Sequence, residues 1–106
     1  MKITQRVLRV FDVRTKAGRA DELLDKLSGT SVAVVQGKPG NTGHLFGKLA
    51  SADGNDLVFI SVWASIESVQ ERFGEAWQES FLPEGYEDMI ESHSIKHYTV
   101  SGELED

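Results

Sequence analysis

The chain of 106 residues contains no cysteine. Disulfides, thiolate metal sites and a cysteine nucleophile are therefore excluded, and a chain without thiols fits the cytoplasm. No apolar run approaches the ~18 residues that a membrane span requires, so no membrane partner is expected. The opening "MKITQRVLRVFDVRT" is broken by charge every few residues and does not read as a signal peptide. Positive charge is scarce: 11 Lys and Arg against 17 Asp and Glu give a net charge of −6. A general nucleic-acid binder needs a cationic face to meet phosphates, so no nucleic-acid partner is expected. There is no phosphate loop, GxGxxG or nucleophile elbow. "GKPGNTG" is glycine-rich but lacks the lysine–serine/threonine ending, and reads as a turn.

What is present is an ordinary globular composition, 40% hydrophobic and 26% charged, expected to form a single domain over 1–106. "QRVLRVFDVRT" alternates and is rich in valine, which predicts a first strand over about 5–14. Leu23, Leu24, Leu27, Val32 and Val35 form an apolar stripe at helical spacing, interrupted near Ser28–Gly29. A helix over about 18–36 is expected, kinked there and ended by Gly37, Pro39 and Gly40, with "SVAVV" as an alternative short strand. "TGHLFGKLAS" reads as a second strand, "ADGND" as a turn and "LVFISVWAS" as a third, central strand. Ser65 or Ser68 caps a helix over "IESVQERFGEAWQESF". "LPEG" breaks that helix, "YEDMIES" forms a short one, and "SIKHYTVS" is the fourth strand. The tail "SGELED" reads as a frayed end.

The order β-α-β-β-α-β predicts an α+β, ferredoxin-like fold: a four-stranded antiparallel sheet with helices on one face. The opposite face has no cover within the chain, and a symmetric homodimer is the expected solution. Strand alternation sorts the side chains. Leu8 and Val10, with Val58, Ile60 and Val62, make aliphatic faces suited to packing against helices. Arg9, Phe11, His44, Phe46, Lys48, Phe59, Ser61, Trp63 and His97 make mixed aromatic and polar faces, suited to a wet dimer seam or a ligand cavity.

"KAGRADELLDKL", "KPGNTGHLFGKL", "LVFISVWASIESVQERF" and "IKHYTV" resemble the antibiotic biosynthesis monooxygenase-like family of the dimeric α+β barrel superfamily. The Pro39–Gly40 turn into strand two, and strand three ending in Val62–Trp63 before a serine-capped helix, carry most of the likeness. The resemblance implies a barrel of two sheets across a homodimer. It also implies, among its members, oxidation of polycyclic phenols to quinones without a cofactor. Haem-degrading members resemble one another in an asparagine on strand one and a tryptophan–histidine pair on the second helix. Here the asparagines are Asn41 and Asn55, read as turn residues, and no histidine lies between His44 and His93, so that pattern is missing.

His93 and His97 are four apart. On a helix they would share a face and a metal, but four residues of strand span roughly 13 Å, far beyond the roughly 4 Å between two ligands of one zinc. Ile95, Tyr98, Thr99 and Val100 favour a strand, so no metal is expected. His93 is then a helix–strand junction residue. The leading reading is a small monooxygenase-like enzyme with neither metal nor flavin, acting on an electron-rich aromatic or polyketide-like compound. His97 is its candidate base or hydrogen-bond partner and Arg9 its anion stabiliser. Trp63, Phe59, Phe73, Phe11 and His44 are candidate substrate contacts, while Trp77 packs helix on sheet. A non-catalytic small-molecule-binding or stress-response dimer, and a regulatory amino-acid-binding module, are the alternatives. The acidic residues Glu84, Glu87, Asp88 and Glu91 read as a solvated face.

Overall fold

The computed structural model describes residues 5–50 and 53–103. Strands β1 (Val7–Thr15), β2 (Asn41–Lys48), β3 (Asp56–Trp63) and β4 (Ile90–Thr99) form one antiparallel sheet in the order β2-β3-β1-β4. Helices α1 (Ala20–Lys26), α2 (Val32–Val35) and α3 (Ile66–Phe73) complete the expected ferredoxin-like order. The ends of the strand-two and tail predictions, and one residue of the "ADGND" turn, lie outside the described residues. Within the tail, Glu103 is anchored by an ion pair to Arg6 at 2.8 Å.

The break foreseen near Ser28–Gly29 is a π-helical turn, Leu27–Ser31, that joins α1 to α2. A π turn carries one extra residue. The eight-residue step from Leu27 to Val35 suits two ordinary turns plus that residue. Leu23, Leu27 and Val35 are accordingly all buried against the sheet. The Tyr86 hydroxyl reaches into this turn, donating to the Lys26 carbonyl (3.1 Å) and lying 2.7 Å from Ser31 Oγ.

Helix α3 opens on a reciprocal cap. Ser65 Oγ accepts from the Ser68 amide and Ser68 Oγ accepts from the Ser65 amide, both at 3.2 Å, so Ser65 is the N-cap. Gly40 makes this possible. Its φ is +85°, and a Cβ there would lie 2.3 Å from the Ser68 Cβ, so only glycine lets the β2 entry pass under the helix start. Its carbonyl accepts from the Ala64 amide at 2.7 Å.

Several expectations are corrected. Helix α3 ends at Phe73 rather than near Phe81, because Gly74 takes φ +71° and a 3₁₀ turn, Gly74–Ala76, follows. "YEDMIES" forms only the 3₁₀ turn Glu87–Met89, and β4 begins at Ile90, which pairs with Thr15 beyond a register shift in β1. His93 therefore sits within β4, opposite Val13, instead of at a helix–strand junction. Asn41 likewise opens β2 rather than sitting in a turn.

A further correction concerns the faces. The helices cover the mixed face, where Val7, Arg9, Phe11, Val13, Leu57, Phe59, Ser61 and Trp63 are all buried. The aliphatic face is the open one: Leu8, Val10, Val58 and Ile60 are half-buried, and Leu45 and Tyr98 are 57% and 52% exposed. Phe11, Phe59 and Trp63 join Val7, Val13 and Leu57 in one core with Leu23, Leu27, Val35 and Val69 of the covering helices, as close packing of the interior requires.

Candidate functional site

The strand registers align four polar residues in one row across the covered face. His44 pairs with Ser61, Ser61 with Arg9, and Arg9 with His97. The next row is apolar: Phe46, Phe59, Phe11 and Ile95. A cavity of about 40 Å³ lies over these two rows, roofed by Val34, Val35 and Ser31 and by Phe73, Phe81 and Pro83. One water needs about 10–15 Å³ by the same measure, so the space holds only a few.

Arg9 is the chemical centre. It is 4% exposed. Its guanidinium donates through Nη1 to the Trp77 carbonyl and through Nη2 to the Glu79 carbonyl (3.0 Å), and Nη1 lies 3.0 Å from His97 Nε2. Both carbonyls lie past Gly74, where the chain leaves α-helical geometry. The group also lies 3.8 Å from the centroid of the Phe73 ring, a cation–π contact. Burial, and then the charge of Arg72, lower the Arg9 pKa to about 10, which leaves it cationic near neutrality. Guanidinium has five N–H donors. Three are engaged by these contacts, and two have no partner among the described residues.

His97 is fixed by Arg9. A guanidinium only donates, so His97 Nε2 is the acceptor and its proton sits on Nδ1. Burial, and then the Arg9 charge, push its pKa down to about 4. Its ring also meets the edge of Trp77, with centroids 5.0 Å apart. It does not line the cavity. Of the two expected roles, base or hydrogen-bond partner, the geometry displays the second: Nε2 is engaged by Arg9.

Of the expected substrate contacts, Phe11, Phe59 and Phe73 line the cavity together with Arg9. Trp63 does not. It is 0% exposed, packs edge-on against Phe73 at 5.8 Å, and donates from Nε1 to Ser61 Oγ at 2.8 Å. His44 is half-buried and stacks on Phe59 at 6.0 Å, outside the lining. His93 bonds Ser80 through Nδ1 at 2.8 Å. Its ring lies 6.3 Å from Phe11. Among the described residues no group of three or more histidines, acids or thiols could hold a metal. The acidic residues Glu84, Glu87, Asp88 and Glu91 are all exposed.

Sequence reasoning placed Ser61 on the mixed face without giving it a role. It lines the cavity at 2% exposure. The available signal was a single hydroxyl alternating with Phe59 and Trp63 on one side of an apolar strand.

No family model matches the chain, and no curated protein matches its sequence. Solved structures do match its fold. Protein SO0527 from Shewanella oneidensis superposes with TM-score 0.72 at 12% identity, over 97% of this chain and 98% of that one. SnoaB, a cofactor-independent oxygenase from Streptomyces nogalater, gives 0.70 at 16% identity, over 97% and 100%. The heme-degrader MhuD from Mycobacterium tuberculosis, with two hemes bound in its active site, gives 0.71 at 17% identity, over 93% and 99%. The chain has the fold of the antibiotic biosynthesis monooxygenase-like proteins, as its sequence resemblance implied.

Proposed function

We propose that the chain is a monooxygenase-like enzyme that works on a small aromatic or polyketide-like compound without a bound metal or flavin. The observation that carries this reading is a buried arginine with two unused donors beneath an aromatic cavity. The fold it shares with a cofactor-independent oxygenase supports it. In such chemistry the ionised phenol itself gives an electron to dioxygen. One oxygen atom enters the ring carbon as the quinone carbonyl and the other leaves as water. The protein need only hold the anion, exclude water and leave room for dioxygen.

Arg9 holds the anion, Phe11, Phe59 and Phe73 flank the ring, and His97 positions Arg9. No carboxylate or histidine lines the cavity, so the phenol ionises under the influence of Arg9 rather than through a dedicated base. The cavity is open at one side, where the lining residue Phe81 is half exposed, and a ring enters by displacing that side chain. Haem does not fit: no histidine lines the cavity, and His97 Nε2 is engaged by Arg9. The same lack of a base gives weight to a second reading, a non-catalytic small-molecule-binding protein on the same site.

The open aliphatic face supports a homodimer in which a second copy covers Leu8, Val10, Val58 and Ile60, since apolar surface gains by leaving water. The test of function is oxygen uptake with a panel of phenols. Uptake with at least one, abolished by the cavity-filling Ile95→Phe, is expected. No uptake with any phenol overturns catalysis.

A further inference from the structure

We infer that Ser61 is the second donor of an oxyanion subsite, acting beside Arg9 on the ionised oxygen of a flat aromatic monoanion. The inference rests on the small-molecule reading of the cavity and adds to it a residue and a charge state. Trp63 Nε1 donates to Ser61 Oγ at 2.8 Å. Indole nitrogen is a donor only, so the Ser61 proton cannot return along that bond and must point elsewhere. No acceptor meets it among the described residues, although the side chain is 2% exposed and faces the cavity. An unused proton on a buried hydroxyl is costly. A ligand acceptor removes the cost.

Arg9 is the direct cross-strand neighbour of Ser61, which puts their Cβ atoms about 5 Å apart. Arg9 and Ser61 both line the one largely apolar cavity, so two unused N–H groups and one unused O–H border the same space. An oxygen bearing negative charge satisfies all three. A neutral phenol brings its own proton to a space bordered by donors and fits worse. The subsite therefore selects the anion and lowers the pKa of the bound phenol. The Trp63 indole acts as a positioning group, setting the direction of the Ser61 proton.

The test is an anaerobic absorbance titration of the full chain with 4-nitrophenol, whose anion alone absorbs visible light, beside 4-nitrobenzoate and uncharged 4-nitroanisole. Without dioxygen, turnover cannot intrude. The wild type is expected to bind 4-nitrophenol as the anion at a pH where most of the free compound is neutral. Ser61→Ala is expected to weaken anion binding about tenfold and return the bound pKa toward the free value, with nitroanisole affinity unchanged. Ser61→Thr keeps the hydroxyl and is expected to keep the anion preference, which guards against misfolding of the alanine variant. Tighter binding of nitrobenzoate than of nitrophenol assigns the subsite to carboxylates, within the same anion class. Unchanged anion affinity and bound pKa in a folded Ser61→Ala overturn the inference while leaving the cavity reading intact. No binding of any of the three compounds overturns both.

Discussion

Arg9 Nη1 and His97 Nε2 lie 3.0 Å apart across paired strands, a cation facing the lone pair of a neutral imidazole. Each restricts the other. The arginine denies the histidine its proton, and the histidine holds the arginine toward the cavity.

A pH dependence follows. The folded ring protonates only near pH 4, the unfolded ring near 6.5. Between those values the unfolded chain binds the extra proton, so stability falls as pH drops through this window and is unaffected above it. The half-buried ring sees solvent, which limits the loss to about 1 kcal/mol. Urea unfolding at pH 7 and pH 4 should show that much more acid loss in the wild type than in His97→Asn. Equal losses would refute the buried neutral histidine.

Arg9→Leu strands the carbonyls of Trp77 and Glu79. Both bonds are part-buried and come from a charged donor, a class that contributes about 1.5–3 kcal/mol at most. The variant should unfold at lower urea by about 2–4 kcal/mol, and protease should cut first in the segment that follows Gly74. Wild-type stability would show that the carbonyl clamp contributes nothing.

Two glycines should respond in opposite directions. Gly40→Ala forces a left-handed φ and a clash with Ser68, costing more than about 1 kcal/mol. Gly29, in the π turn, has nothing within 4 Å of a built Cβ and no positive φ. Gly29→Ala should gain about 0.5–1 kcal/mol. Thermal melts of the pair check both.

Ile60→Lys places a charge in the centre of the open aliphatic face. Light scattering should give about twice 11.7 kDa for the wild type and 11.7 kDa for the variant. A wild type of 11.7 kDa at micromolar concentration removes the homodimer.

The fold was legible because strand alternation and helical spacing are strong in "QRVLRVFDV", "LVFISVW" and "ADELLDKL". Boundaries failed where tertiary pairing overrode local pattern. Ile90 fits a helical stripe with Tyr86 and Met89, but Thr15 recruits it into β4. The expected helix through Trp77 stops at Gly74, whose φ of +71° ends it, and Arg9 takes carbonyls beyond it. Alternation grouped Arg9 with Ser61 and His97 in principle, but their alignment needs strand register, which no single strand encodes. The inner face was misjudged because a purely aliphatic face was matched to the helices, while the carbonyls that let Arg9 be buried lie roughly 70 residues away along the chain.

A crystal of the protein soaked with a simple phenol tests the central claim most directly. The account predicts the phenol oxygen within about 3.2 Å of the Arg9 guanidinium, with its ring among Phe11, Phe59 and Phe73. Phenol bound only on the open face of the sheet, or a cavity still empty at saturating phenol, would contradict it.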